Sequence, residues 1–166
     1  MKTSQTNKIA KIAATVALGL GVVAGVNATN ESFQSTLRIL SPIAISEVRA
    51  LDFGDTEGGN VNMVIAATDP TAAVFSATGE ANKYATASVV ESSITMLRSG
   101  GSSGTSSDEI VVDTFTLGGT GISGSQVDFG AGGSASDLRV GATAHVLAED
   151  VAGSYEGSAT FSLVYQ

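Results

Sequence analysis

Few residues in this sequence carry reactive chemistry, and the single histidine, His145, is the first of them. A general base or a metal ligand needs a partner carboxylate or further ligands nearby, and the spacing around His145 supplies none. His145 alternates with Ala144 and Val146, which predicts that it lies on the outer face of a strand. We therefore interpret it as a surface histidine without a catalytic or metal-binding role.

Acidic residues gather in two predicted turns, one with Asp52, Asp55 and Glu57 and the other with Glu149 and Asp150. Oxygen-rich turns bind Ca²⁺ when their ligands recur at fixed positions. Neither turn has that spacing, so the favoured interpretation is solvated carboxylates without a metal. A ligand-binding or ion-binding module remains an alternative that rests on these turns alone.

Residues 100–104 match the G-x-S-x-G pattern of a nucleophile elbow. That elbow requires a strand before the serine and a helix after it, whereas residues 99–108 form a Gly/Ser-rich stretch typical of a flexible surface loop. The sequence contains no phosphate-binding glycine loop, no catalytic carboxylate pair and no cofactor motif. We expect a protein that is not an enzyme and uses no cofactor.

Residues 1–28 have the features of a secretory signal peptide. Lys2, Lys8 and Lys11 give a positive start, residues 12–26 are apolar, and Val26-Asn27-Ala28 is a small-x-small cleavage site. The apolar run is shorter than the roughly 20 residues that span a bilayer. The sequence therefore predicts cleavage after Ala28, export through the periplasm to the cell surface or medium, and no membrane span in the mature chain.

The mature chain is strongly acidic and contains no cysteine. Three of the eight Lys and Arg residues lie in the signal peptide, so five basic residues face 16 acidic ones and the net charge is −11. A surface of this sign repels phosphate backbones, which argues against nucleic-acid binding. Without cysteine, an exported fold of this kind relies on its core and uses no disulfide.

The remaining sequence alternates between strand-like stretches, rich in Val, Ile, Ala, Thr and Phe, and turns rich in Gly, Asp, Asn and Ser. The internal strand-like stretches are residues 43–45, 61–67, 72–77, 84–90, 94–97, 110–117, 127–129 and 138–146. Within residues 110–117, strict alternation predicts that Thr114 and Thr116 share a face with Val112. No stretch has a helical period. The spacing predicts one all-β domain over residues 29–166, an antiparallel β-sandwich of roughly nine or ten strands.

Residues 29–40 are a further predicted strand, at the start of the mature chain. Phe33, Leu37 and Ile39 fall on one face of the alternation. Pro42 interrupts the pattern because proline cannot donate to a strand ladder. The proline separates this segment from the body of the domain.

Residues 153–166 are predicted to form one continuous, half-buried strand at the end of the chain. Ala159, Phe161, Leu163 and Tyr165 line its apolar face. Because the chain stops on this strand, the sequence leaves open what pairs with its far edge.

Several short stretches resemble a secreted bacterial family called domain of unknown function 4402. They are Ser41-Pro42-Ile43-Ala44-Ile45, Leu51-Asp52-Phe53-Gly54, Phe75-Ser76-Ala77-Thr78-Gly79 with Tyr84, and Val140-Gly141 followed by Gly153-Ser154-Tyr155-Glu156-Gly157. The resemblance covers nearly the whole mature chain, but the family name carries no function.

The last stretch also resembles the end of subunits of chaperone–usher fimbriae. Those pilins end in a strand with a penultimate tyrosine, a glycine fourteenth from the end and alternating apolar residues between them. Here Tyr165 is penultimate, Gly153 is fourteenth from the end, and Ala159, Phe161 and Leu163 alternate. The cysteine pair of many such pilins is missing from this chain.

The pilin resemblance implies an immunoglobulin-like sandwich that lacks its final strand. A periplasmic chaperone would lend a strand, an usher would assemble the subunits, and the N-terminal segment of the next subunit would replace the chaperone's strand. Phe33, Leu37 and Ile39 would be the donor side chains, and the acceptor edge would comprise Gly153, Ala159, Phe161, Leu163 and Tyr165. The protein would then be a structural subunit of an extracellular fibre or fimbria that assembles with identical or related subunits.

The alternative is a closed monomer. Residues 29–40 would then be the first strand of their own sandwich, paired with their own C-terminal strand. The protein would be a secreted binding or surface-adhesion domain, with its glycine-rich loops as the candidate binding surface.

Overall fold

The computed structural model describes residues 31–166. Arg38–Gln166 form one compact unit, and residues 31–37 belong to a second unit that contains no helix or strand within its described part. The predicted signal peptide, its cleavage site and the first two residues of the predicted mature chain lie outside the described residues. Residues 31–166 include no helix with the length and apolarity needed to cross a membrane.

The described residues form eleven strands and one short 3-10 turn. The strands are β1 (Ala44–Arg49), β2 (Val61–Ile65), β3 (Ala73–Thr78), β4 (Tyr84–Val89), β5 (Ser93–Arg98), β6 (Glu109–Gly118), β7 (Ile122–Ser123), β8 (Gln126–Asp128), β9 (Ser134–Val146), β10 (Tyr155–Glu156) and β11 (Phe161–Tyr165), and the turn is Ser106–Asp108. Every strand pairing is antiparallel. The predicted all-β, antiparallel class is therefore confirmed.

The strands make two sheets in a sandwich-like arrangement. The large sheet has the order β1-β3-β9-β6-β5-β10, and β2 also pairs with β9. The long strand β9 can hold both neighbours because its first half pairs with β3 and its second half with β2. The small sheet has the order β11-β4-β8-β7.

The core consists of two separate apolar clusters. The first lies mainly between the small sheet and the β3 side of the large sheet and contains Phe129, Leu138, Val127 and Leu163. The second is built on β6 and β9 and contains Ile110, Val112, Ala142, Ala144 and Val146. Burial of apolar surface in these clusters is the main force that holds the sheets together. Many of the buried residues are alanines, so much of the core is built from small side chains.

A bulge in β6 reverses the predicted alternation of that strand. Thr114 has a positive φ of 52°, and the pairing with β9 shifts between Asp113 and Thr116. An extra residue in a strand moves every later side chain to the opposite face. Phe115 therefore packs against the second cluster with Val112, and the prediction that Thr114 and Thr116 share the face of Val112 is wrong.

The C-terminal stretch is two short strands and not the single strand that was predicted. β10 pairs with β5 in the large sheet, whereas β11 pairs with β4 in the small sheet. Residues 157–160 cross from one sheet to the other without strand pairing. Gly157 allows this crossing to lie against β5, because a Cβ there would be 2.9 Å from Met96 Cγ and 3.0 Å from Thr95 O.

Candidate functional site: an open groove between the two sheets

One edge of β11 is free of strand pairing within residues 31–166. Its other edge pairs with β4 from Phe161–Val89 to Tyr165–Ala85. Leu163 is buried in the first cluster, whereas Val164 points outward and is 63% exposed. β11 therefore presents a row of backbone N–H and C=O groups that can pair with a further strand.

The inner side of β1 is not covered by the small sheet. Ile45 and Glu47 pair with Ala77 and Phe75 of β3, so they share the face that points to the sandwich interior. All six residues of β1 are nevertheless exposed. The small sheet ends at β11, one strand short of covering β1.

A mainly apolar cavity of about 210 Å³ lies at the Phe161 end of this strip and extends toward β5 and β6. Its lining includes Glu47 of β1, Phe75 of β3, Ala159 of the crossing segment and Phe161 of β11, together with side chains of β5 and β6. The rings of Phe75 and Phe161 stack with their centroids 4.7 Å apart. A cavity of about 150 Å³ in another protein accepts a benzene ring, so this one has room for an aromatic side chain. We call the strip between β1 and β11, with this cavity as its floor, the open groove.

The end of the groove nearest Tyr165 is closed by a polar cluster around Ser41. The Ser41 N–H donates to Glu80 Oε2 at 3.1 Å, and the Tyr165 hydroxyl donates to the Ser41 carbonyl at 2.8 Å. The Glu80 N–H in turn donates to the Tyr165 hydroxyl at 2.5 Å, and Arg38 forms an ion pair with Glu80. We call this cluster the Ser41 clamp.

The sequence gives little sign of the clamp because its members are far apart in the chain. Glu80 and Tyr165 are 85 residues apart. Gly79 makes their contact possible, since a Cβ there would lie 2.6 Å from the Tyr165 hydroxyl oxygen. The hydrogen bond from the Ser41 backbone, followed by the bonds to the Ser41 and Arg38 side chains, lowers the pKa of Glu80 below its ordinary value of 4.5.

The predicted acceptor residues are only partly brought together. Phe161, Leu163 and Tyr165 lie on β11, and Ala159 lines the cavity. Gly153 lies elsewhere, ahead of β10, where its Cα hydrogens face Arg98; a Cβ there would be 2.9 Å from the Arg98 side chain. Gly153 is therefore not part of the β11 edge.

The predicted donor segment is not a strand in this chain. Residues 31–43 have no strand assignment, so the prediction of a strand over residues 29–40 is wrong for its described part. Phe33, Leu37 and Ile39 are 91%, 89% and 85% exposed. Their role as donors stays a prediction.

His145 has hydrogen-bond partners that the sequence did not indicate. It faces outward as predicted, and its Nδ1 lies 2.8 Å from Asn62 Oδ1 and its Nε2 2.9 Å from Asp113 Oδ1. The hydrogen bond from His145 lowers the pKa of Asp113. Asn62 and Asp113 sit on the strands that flank β9, so this row ties three strands together on the outer face.

The acidic turns and the G-x-S-x-G match are held by local turn contacts. Within the described part of the chain, no three His, Cys, Asp or Glu side chains are grouped to hold a metal ion. Asp52 accepts the Gly54 N–H, and Asp150 accepts the Leu147 N–H, as turn residues commonly do. The G-x-S-x-G match lies in the loop after β5, where the Ser102 N–H donates to the buried Asp108. A 3-10 turn, and not the helix of a nucleophile elbow, follows it.

Comparison with known proteins identifies a family but no individual relative. Residues 46–165 match the family described as Domain of unknown function (DUF4402). No curated protein and no solved structure matches the chain. The match begins within β1 and ends at the last residue of β11, so it spans both sides of the open groove.

Proposed function

This chain belongs to the DUF4402 family, and from its open groove we propose that it is a structural subunit of an extracellular fibre, joined to its neighbours by donated β-strands. The observation that carries the proposal is the uncovered inner face of β1 beside the free edge of β11. An extended peptide in that position would pair with β11 through its backbone and cover β1 with its side chains.

The cavity in the floor of the groove supports an apolar occupant. Phe33 is the single aromatic residue in residues 29–40, and a phenyl ring fits a space of about 210 Å³. Leu37 and Ile39 would follow along the same face of the donated strand. Each such side chain contributes about 1.5–3 kcal/mol when it is fully buried, beside the backbone hydrogen bonds along β11.

The composition of β11 also supports a partner that covers it during export. Its sequence, Phe161-Ser162-Leu163-Val164-Tyr165, contains no charge and no proline. Free edges of this composition are prone to pair with other chains unless something covers them. A periplasmic chaperone that lends a strand, followed by an usher that exchanges it for the next subunit, would meet that need.

The test is a charge placed on the donor face. Phe33→Asp should abolish assembly of the exported full chain, because a carboxylate cannot be buried in an apolar cavity without a large cost. Gln34→Asp is the matched control, since it adds the same charge on the opposite face of the predicted strand and should assemble normally. Size-exclusion chromatography and negative-stain microscopy measure both.

Two results would contradict the fibre proposal. Polymers of Phe33→Asp equal to those of the unchanged chain would show that Phe33 is not donated. A wild-type protein that stays monomeric, and whose stability falls with Phe33→Asp, would favour the closed secreted monomer, in which residues 29–40 complete their own sandwich.

A further inference from the structure

We infer that the Ser41 clamp reserves the open groove for a strand from a second copy of this chain, by keeping the chain's own N-terminal segment from folding back into it. The inference rests on the proposed function. The shape of the groove does not determine which chain supplies the strand, and the inference addresses that question.

The choice needs a physical cause because the chain's own segment has a large advantage. A segment tethered by a short linker has an effective concentration in the millimolar range, far above that of other subunits in dilute solution. This advantage disappears when the geometry of the tether forbids the bound position. A subunit that assembles with others therefore needs a tether geometry that keeps its own segment out of its groove.

The direction of β1 defines what folding back requires. The start of β1 lies at the Tyr165 end of β11, since Ser41 bonds to Tyr165. The end of β1 lies near the start of β11, since Glu47 and Phe161 line the same cavity. β1 therefore runs opposite to β11, and residues 29–40 could enter their own groove only through a tight reversal at residues 41–43.

The Ser41 clamp opposes that reversal. Both backbone polar groups of Ser41 already have partners: the N–H donates to Glu80, and the carbonyl accepts from Tyr165 and keeps one lone pair for a further donor. Pro42 has no N–H to donate, and it restricts Ser41 to extended conformations. A reversal that reorients the Ser41 backbone would break both of these bonds.

The position of the residues just before Ser41 is consistent with a segment that does not fold back into the groove. Arg38 is held by Glu80, although its side chain is 68% exposed and the ion pair itself contributes little. Ile39, between them, is 85% exposed and does not enter the apolar groove. Arg38 and Ser41 thus both bond to Glu80 at the Tyr165 end of the groove, while Ile39 between them is exposed to solvent.

The experiment compares uptake of a free strand by variants of the exported full chain. The probe is a fluorescein-labelled synthetic peptide of residues 29–40, titrated into monomeric protein at sub-micromolar concentration and followed by fluorescence anisotropy. Tyr165→Phe removes the clamp hydroxyl but keeps the ring, and Glu80→Ala breaks the clamp from outside β11. Tyr155→Phe is the matched control, because its hydroxyl bonds to the Val151 carbonyl away from the groove.

The expected result is a loss of uptake in both clamp variants. If the chain's own segment fills the groove in nine molecules out of ten, the apparent affinity for the peptide falls about tenfold. The unchanged chain and Tyr155→Phe should bind the peptide equally well. Adding Leu37→Asp to either clamp variant should restore uptake, because the charged segment no longer occupies its own groove.

The possible outcomes distinguish the role of the Ser41 clamp from the fibre proposal. Unchanged peptide affinity in both Tyr165→Phe and Glu80→Ala would overturn the role of the clamp and leave the fibre proposal standing. A loss of affinity that Leu37→Asp does not reverse would mean that the variants damage the groove itself, which also overturns it. A wild-type chain that binds no peptide would remove the proposed function and this inference together.

Discussion

Filling the cavity from within is the sharpest test of the open groove. Ala73 lies on β3, is 6% exposed and lines the cavity. Ala77 lies four residues further along the same strand and is 2% exposed, but it belongs to the close-packed first cluster. The same substitution, alanine to leucine, therefore meets empty space at one position and filled space at the other.

The two substitutions should change stability in opposite directions. Ala73→Leu adds three carbon atoms, worth about 2.4 kcal/mol if fully buried at about 0.8 kcal/mol each. Fixing the leucine side chain costs about 0.5–1 kcal/mol, which leaves a gain of about 1.5 kcal/mol in the free energy of unfolding. Ala77→Leu overfills its cluster and should lower that free energy by about 1–3 kcal/mol.

Urea unfolding of the monomeric protein measures both changes at equal protein concentration. A difference of about 3 kcal/mol between the two variants, with similar dependence on urea, would match the cavity described here. Equal destabilisation by both variants would refute it, because the floor of the groove would then be filled. Ala73→Leu should also weaken uptake of the residue 29–40 peptide, since its side chain takes the space proposed for Phe33.

Two further predictions concern contacts outside the groove. Gly141→Ala should lower the free energy of unfolding by about 1–3 kcal/mol, because its Cβ would lie 2.3 Å from Ile65 O; Gly58→Ala, with open space around its Cβ, is the control, and chemical unfolding distinguishes them. A hydrogen bond from the Thr120 N–H, followed by one from Arg139, lowers the pKa of Asp137 from 3.8 to about 2. The stability that this carboxylate gives is present above its unfolded pKa of 3.8 and is lost as the pH falls through its folded pKa of about 2. Asp137→Asn should therefore flatten the pH dependence of unfolding across that interval, and an unchanged slope would contradict the role of the carboxylate.

Local patterns predicted most of the strands because those strands follow local rules. β2 and β4 begin at the predicted residues, Val61 and Tyr84. Their branched and small side chains alternate between turns rich in Gly, Asp and Asn, which is sufficient to mark a strand. The bulge at Thr114 could not be found in this way, because residues 112–116 contain no glycine to mark it, and it shows only in the register of β6 against β9.

The sequence predicted only one part of the groove, namely the apolar face of its last strand. The alternation of Phe161, Leu163 and Tyr165 correctly marked an apolar strand face at the end of the chain. The same alternation continues through Gly157 and Ala159, and it concealed the point where the chain leaves one sheet for the other. The Ser41 clamp and the partners of His145 join residues tens of positions apart, and no local pattern indicates such contacts.

The free edge of β11 makes the stability of this domain depend on its surroundings. Any strand that binds the folded groove and not the unfolded chain raises the free energy of unfolding by mass action, by about 2.7 kcal/mol when its concentration is a hundred times its dissociation constant. The melting temperature would then depend on the strand concentration as well as on the domain. Dilution of the strand would lower this stability, whereas in the proposed fibre a neighbouring subunit would keep its strand beside the groove. A chain without disulfides would in that case gain stability on assembly.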